Sequence, residues 1–369
     1  MKYSYLQFLV LFFLLYNNVL ILSPRENYDK WFVITTINKP TAVFEKLSKL
    51  KDWHGVVVAD KKTPKDWNVP GITFLSVEYQ QTCKYKIAQL LPWNHYGRKN
   101  IGYLYAIEHG AKLIYETDDD NFILNETIDY LPEYTDCLVF DCQKNCFNPY
   151  AYFGQPSVWP RGYPLKEICK TNRVAVQKKN KCFIPIQQGL VNNDPDVDAI
   201  FRLTRNQLLE FDSGIPPAAC AMGTMAPFNS QNTIFYYSSF WALLMPISVT
   251  SRVADIWRGY WAQRLLWDIG GSLCFLPPTA IQERNEHDFL NDFEQELDLY
   301  LQVDNLIKKL NQWQSTKNNF FECMHELLVF LTDNNFLKKN DLELAKTWIE
   351  DLIELGYEPP ILSNKKYQI

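Results

Sequence analysis

Between residues 31 and 117, short β-branched and aromatic runs alternate with stretches of helical spacing. That alternation constrains the fold more than any other feature of the chain. "WFVITTI" (31–37) reads as a buried strand, punctuated by "NKP". "TAVFEKLSKLK" follows with helical spacing. "GVVVAD" (55–60) is a second strand ending on Asp60, "KTPKDW" is a loop, and "ITFLSV" is a third strand. "RKNIGYLYAIEHGA" (98–111) reads as a helix. Ile101, Leu104, Tyr105 and Glu108 keep i, i+3, i+4, i+7 spacing, and Gly110 stands near its end. "KLIY" is a fourth strand. Strands alternating with helices predict an α/β fold with a mainly parallel sheet and helices on both faces. Ligands of such sheets sit beyond the carboxyl ends of the strands, where Asn38, Asp60 and Asp118 all fall.

The fourth strand delivers "YETDDD", in which Asp118, Asp119 and Asp120 are consecutive and Glu116 precedes them. Adjacent like charges repel, so the run is either a solvated turn or a cation site. Mg²⁺ and Mn²⁺ take hard oxygen ligands, typically one or two carboxylates plus substrate phosphates and water. On a strand, D-x-D spacing puts two carboxylates on one side. Asp118 with Asp120 has that spacing, and so does Glu116 with Asp118. In the first pairing Asp119 points elsewhere.

The remaining chain is less regular. "NPYAYFGQPSVWPRGYPL" reads as loop, because it is rich in proline and aromatics. "SRVADIWRGYWAQRLLWDIGG" (251–271) reads as helix from Val253, closed by Gly270 and Gly271. The chain is helical again from about 289. A net charge of −5 leaves no general nucleic-acid footprint. Aromatic residues reach 15%, which suits a sugar-binding site and a large core equally.

The N-terminal run "MKYSYLQFLVLFFLLYNNVLIL" is mostly apolar from Tyr5 to Leu22. As a helix, such a run reaches about 27 Å, close to a hydrocarbon core of about 30 Å. No A-x-A-like cleavage pattern follows it, so residues 1–24 are read as a signal anchor rather than a cleaved signal peptide of a secreted chain. Nine cysteines suit a lumenal protein, and their odd number leaves at least one thiol unpaired or intermolecular. Cys137, Cys142 and Cys146 lack the paired spacing of a zinc site. "NET" at Asn125 is a glycosylation sequon.

Strand, helix, strand and D-x-D together resemble the GT-A fold of nucleotide-sugar glycosyltransferases. "KTPKDW", "RKNIGYLYAIEHGAKLIYETDDD", "QQGLVNNDPDVDAIFRLT" and "RVADIWRGYWAQRLLWDIGG" are similar to the STELLO proteins of plants and their animal counterparts, from about Lys30 to Pro360. A weaker resemblance, confined to the first 290 residues, links "DDD" and "PRGYP" to the reversibly glycosylated polypeptides, which act as UDP-arabinopyranose mutases. The plant STELLO pattern has an aspartate where this chain has Glu116. That alignment favours Glu116 with Asp118 as metal ligands; the mutase-like one favours Asp118 to Asp120.

The resemblance implies a GT-A-like, Rossmann-related catalytic domain over 29–288 and a C-terminal helical region over 289–369. It implies a type II Golgi membrane protein with a lumenal domain. The implied reaction moves a sugar from a nucleotide-sugar, UDP-linked, to a glycan or protein acceptor, with Mn²⁺ or Mg²⁺. Thr36, Asn38 and Asp60 would contact the nucleoside. Arg98, Lys99 and Asn100 would hold the diphosphate at a helix start. Asp118, Asp119, Asp120 and a late histidine, His287, would ligate the metal. Asp255 would act as general base. Arg161 would contact phosphate, or take up sugar on the mutase-like reading. Asp194, Asp196 and Asp198 would bind acceptor hydroxyls. Two other functions fit the resemblance: a non-catalytic Golgi scaffold partnering a glycan synthase, and a nucleotide-sugar mutase.

Overall fold

The computed structural model describes residues 28–363, apart from 144–145, 169, 171–173, 206 and 285–287. Its first four strands are β1 (Lys30–Thr36), β2 (His54–Ala59), β3 (Ile72–Leu75) and β4 (Leu113–Thr117). They pair in parallel in the order β3-β2-β1-β4. Helices α1 (Ala42–Leu47), α2 (Val77–Thr82) and α3 (Lys99–Glu108) connect them. The side chains of β1 alternate between two apolar clusters. Trp31 and Val33 join Ile101 and Leu104 of α3; Phe32 and Ile34 join Phe44 and Leu47 of α1. The sheet is therefore covered on both faces. Gly102 brings α3 close: a Cβ there would lie 2.7 Å from Val33 and from Val58.

The second half of the sheet is β5 (Asn121–Ile123), β6 (Tyr134–Asp141), β7 (Ala175–Phe183), β8 (Ile186–Asn192), β9 (Ala218–Cys220), β10 (Asn232–Tyr236) and β11 (Leu273–Gln282). Between them lie α4 (Pro149–Tyr152), α5 (Ala199–Thr204) and α6 (Ser251–Asp268). The order continues β4-β10-β8-β11-β9-β6-β7, with β5 also on β11. β8 and β11 run with the first four strands. β10 lies between β4 and β8 and runs against both. The sheet is mixed, as expected, and the reversal at β10 places the ends of β4 and β8 on one side. The proline-rich stretch after 147 is mainly loop, with one short helical turn in α4.

The helices α7 (Phe289–Gln295), α8 (Leu297–Gln312), α9 (Phe320–Asp333) and α10 (Lys339–Glu354) complete the chain. They do not enclose a core of their own. Leu306, Leu327 and Trp348 share one apolar cluster with Trp241, Trp261 and Ile101. Asp351 of α10 accepts the backbone N–H groups of Lys86 and Ile87, each at 2.9 Å, which fastens the helices to the loop before α3. The expected anchor, residues 1–24, lies outside the described residues. Among those described, no helix is long and apolar enough to cross a membrane. Cys137 and Cys182 form a disulfide between β6 and β7. Cys142, Cys146, Cys220 and Cys274 are buried thiols.

One ion pair fixes α6 against the sheet. Glu116 on β4 and Arg258 on α6 are both wholly buried, and two hydrogen bonds of 2.9 and 2.8 Å join them. Tyr103 of α3 donates a third bond to the same carboxylate. Removing one partner strands the other charge in the core. Arg258→Ala is expected to lower unfolding free energy by about 3–5 kcal/mol in urea titration, whereas the double change Glu116→Met with Arg258→Met recovers much of that loss. Equal losses in the single and double variants would contradict the charge-stranding account.

Candidate functional site

A cavity of about 410 Å³ opens at the carboxyl ends of β1, β2 and β4. Thr36, Asn38, Asp60 and Arg98 line one flank, and Asp118, Asp119 and Asp120 line the floor. Arg161, Asp196, Ser230, Arg252, Asp255, Gln282 and Arg284 line the other flank. The structure thus brings together most of the residues singled out above. His287 lies outside the described residues.

The three aspartates are not on the strand. β4 ends at Thr117, and Asp119 and Asp120 occupy a turn before β5. The same-side argument from strand geometry therefore fails, and Asp119 does not point away from the cavity. Its Oδ2 accepts bonds from Thr36 Oγ1 and, at 3.0 Å, from Asn38 Nδ2, so it ties the end of β1 to the turn. Glu116 faces α6 and is consumed by Arg258 and Tyr103, which removes it as a partner for Asp118.

Asp118 and Asp120 are held differently. Asp118 Oδ1 accepts Tyr96 O–H at 2.9 Å and Lys99 Nζ at 3.2 Å. Among the described residues, its Oδ2 has no hydrogen-bond partner. Asp120 Oδ2 accepts Gln282 Nε2 at 2.9 Å, and its Oδ1 accepts Asn121 Nδ2 at 3.2 Å. Burial pushes the Asp120 carboxyl up to about 7, and the charges of Asp118 and Asp119 add to this. Burial also raises Asp118, against the pull of Lys99 and Tyr96. Two crowded carboxylates with a free oxygen suit a hard divalent cation. Among the described residues, no group of three or more His, Cys, Asp or Glu side chains is placed to hold a metal. Two carboxylates are a donor set that Mg²⁺ or Mn²⁺ would accept with phosphate and water supplying the rest.

The expected diphosphate residues separate. Lys99 is wholly buried and lies beneath Asp118, donating 2.8 Å bonds to Tyr96 Oη and the Thr117 carbonyl. Asn100 faces away from the cavity and exchanges two bonds with the backbone of Met245. Arg98 remains on the cavity, but on the Asp60 side. Its Nε donates to Gln80 at 2.6 Å and its Nη1 to the Leu91 carbonyl at 2.9 Å, and Trp93 stacks on it at 3.5 Å. Its Nη2 is buried without a partner among the described residues, and burial lowers its pKa to about 10. Asp60 accepts the N–H groups of Lys61, Asn94 and His95, so it shapes the loop that delivers Tyr96.

On the far flank, Arg161 uses all five of its N–H donors. Nε and Nη2 bind Asp196 at 2.8 and 2.7 Å, Nη1 and Nη2 bind Asp255 at 3.0 and 2.9 Å, and Nη1 also reaches the Arg252 carbonyl. Burial alone would raise Asp196; Arg161 and Arg252 more than offset it and hold its pKa low. The Pro-Arg-Gly-Tyr-Pro turn reaches α6 because Gly162 has φ +81° and a Cβ there would lie 2.4 Å from Ile256. Asp194 pairs with Arg202, and Asp198 caps α5 by accepting Phe201 N–H at 2.9 Å. Of the three loop aspartates, Asp196 lines the cavity. Tyr96, Ser230, Gln282 and Arg284 carry no sequence signal. They enter from loops and a strand end that only the sheet order brings together.

The Asp120 shift has a testable sign. A carboxyl held above its unfolded value keeps its proton longer in the folded state, so its stabilisation is present at about pH 4 and lost as pH rises through about 7. Metal-free protein is expected to melt lower at pH 8 than at pH 5.5, and Asp120→Asn to flatten that difference. Melting curves with identical pH slopes for both proteins would refute the assignment.

A family model for STELLO glycosyltransferases matches residues 252–369. The chain is 37% identical over 364 residues to "Probable glycosyltransferase STELLO1" of Arabidopsis thaliana, and 36% identical over 364 residues to "Probable glycosyltransferase STELLO2" of the same plant. Each match covers 93% of this chain and 47% of the relative. The chain therefore spans about half the length of the curated relatives it matches, and over nearly all of its own length it is STELLO-like.

Proposed function

We propose that the chain is a metal-dependent glycosyltransferase that uses a nucleotide-sugar donor, UDP-linked, in the secretory lumen. The observation that carries this reading is the pairing, across one cavity, of a crowded aspartate floor with a guanidinium–carboxylate wall, at the strand ends where α/β folds bind nucleotides. The names of the similar plant proteins support the same activity.

The donor's nucleoside would lie over the ends of β1 and β2, against Thr36, Asn38, Asp60 and Arg98. Its diphosphate would then fall over Asp118 and Asp120. A bound Mn²⁺ or Mg²⁺ would supply charge neutralisation for the leaving diphosphate. Tyr96 O–H and Lys99 hold Oδ1 of Asp118 and leave Oδ2 free to meet a cation. Gln282 and Asn121 each hold one oxygen of Asp120, which would meet the cation through its remaining lone pairs. Asp255 faces the cavity from the start of α6, where it would orient an acceptor hydroxyl and take its proton. Because Arg161 spans Asp255 and Asp196, it can retain Asp196 while Asp255 engages the acceptor. With every donor of Arg161 already committed, the structure gives no support to sugar transfer onto that residue.

The Cys137–Cys182 disulfide favours an oxidising compartment, in keeping with a Golgi lumenal location and an N-terminal anchor. A membrane-held enzyme of this kind would meet a glycan or protein acceptor there, and a glycan synthase is the partner class that the resemblance suggests.

Asp118→Ala is expected to abolish Mn²⁺-dependent hydrolysis or transfer of UDP-sugars while leaving the ligand-free melting temperature near that of the wild type. Full turnover in that variant would exclude the metal assignment. Wild-type protein that binds no nucleotide at millimolar concentration in calorimetry would turn the reading toward a scaffold.

A further inference from the structure

Two guanidinium groups that line the cavity carry buried nitrogens without partners among the described residues: Nη2 of Arg98 and Nε of Arg284. Arg98 sits on the nucleoside flank, fastened to Gln80 and Leu91. Arg284 sits on the opposite flank. It follows Gln282, whose side chain binds Asp120, and Glu283, whose N–H donates to the Asp120 carbonyl at 3.1 Å. The chain therefore delivers Arg284 directly beside the carboxylate floor.

Arg284 differs from the arginines around it. Each of those has a close carboxylate: Arg161 binds Asp196 and Asp255, Arg202 holds Asp194 although its own Nε is unpartnered among the described residues, and Arg252 holds Glu296. The carboxylate paired with Arg284 is Asp292, at 3.6 Å, beyond hydrogen-bond length. Its side chain is only 8% exposed, so solvent does little to compensate. Burial lowers its pKa, and the neighbouring Arg252 and Arg202 add to that, with Asp196 and Asp194 opposing. A buried cation with an unmet donor, facing a cavity, is stabilised by an incoming anion.

We infer that Arg284 binds the terminal phosphate of a nucleoside diphosphate and stabilises it as the leaving group. This rests on the nucleotide reading of the cavity and names a residue for it that the helix start at Arg98–Asn100 was expected to supply. Lys99 and Asn100 are committed elsewhere and Arg98 lies on the nucleoside side, so the terminal phosphate needs a different cation. The residue acts by charge and hydrogen bonding, and no covalent step is assigned to it.

The test is calorimetric binding of uridine, UMP and UDP, with Mg²⁺ and with chelator, to wild type, Arg284→Gln and Arg284→Lys. In wild type UDP is expected to bind more tightly than UMP. Arg284→Gln is expected to weaken UDP about tenfold, with UMP and uridine unchanged, and Arg284→Lys to restore part of the difference. The loss is expected with chelator as well as with Mg²⁺. Arg284→Lys keeps a cation beside Asp292, so its ligand-free melting temperature should stay near that of the wild type and separates a lost phosphate contact from a folding defect. UDP-glucose and UDP-glucuronate provide the control for a sugar carboxylate, since a loss confined to UDP-glucuronate would overturn the phosphate assignment. Equal losses for UMP and UDP, or an intact preference for UDP in Arg284→Gln, would overturn it too. Wild-type protein that binds none of these nucleotides would overturn the functional reading first, which separates the two failures.

Discussion

The site depends on an ion pair that never meets water. Glu116 and Arg258 lie directly beneath the cavity, and their bidentate contact fixes the rotation of α6 relative to β4. Such a pair is weak evidence for stability, because desolvation offsets most of the attraction. Its value here is geometric. α6 carries Asp255 three residues before Arg258, and the chain leaving β4 carries Asp118 two residues after Glu116. Locking Arg258 to Glu116 therefore sets the separation between the two carboxylates on which the proposed chemistry depends.

A hydrogen-bonded chain crosses the cavity floor above that pair. Asp118 accepts Tyr96 O–H, and Tyr96 Oη meets Ser230 Oγ at 2.7 Å. The Ser230 hydroxyl donates to Tyr96 Oη, and the Ser230 backbone N–H donates at 3.3 Å to Asp255, which is clamped through Arg161 to Asp196. Burial, with Asp118 and Glu116 adding to it, raises the Tyr96 pKa and keeps its proton in place as a donor. Each carboxylate on this path is held from the protein side, so its open face is directed inward. Preorganisation of this kind costs no rearrangement when charge develops on a ligand.

The sequence made the N-terminal half of the sheet readable and left the other half obscure. β1, β2, β4 and α3 were legible because apolar residues keep strand and helix periods there. β8 was not: its run Ile-Gln-Gln-Gly-Leu-Val-Asn is buried throughout, yet its polar side chains are satisfied by partners remote in sequence, as Gln187 is by Leu131. The Asp118–Asp120 run was legible as an acidic cluster at a strand end, and the structure places it on the cavity. Which acid partners Asp118 was not, because Glu116 and Asp120 have the same spacing from it and only Arg258 separates them. The helix start at Arg98–Asn100 looked like a phosphate site from charge alone. Its three side chains are drawn to different tertiary partners, Gln80, Thr117 and Met245, that no local pattern reveals.

The family model matches from Arg252 onward and so excludes the aspartate run while including α6. Packing gives a physical reason for that helix to be so distinctive. α6 is buried on every side: Val253, Ile256, Trp257, Tyr260 and Trp261 fill the core, while Asp255, Arg258, Gln263 and Arg264 are buried polar groups, each with partners of its own. A helix with one wet face tolerates many residues there, but α6 has none to spare. Every buried polar position must keep its partner or leave an unmet group in the core. The aspartate turn is constrained differently, since the proposed cation would ask only for oxygen atoms within reach. α6, which positions the opposing wall, is almost fully specified by its own packing.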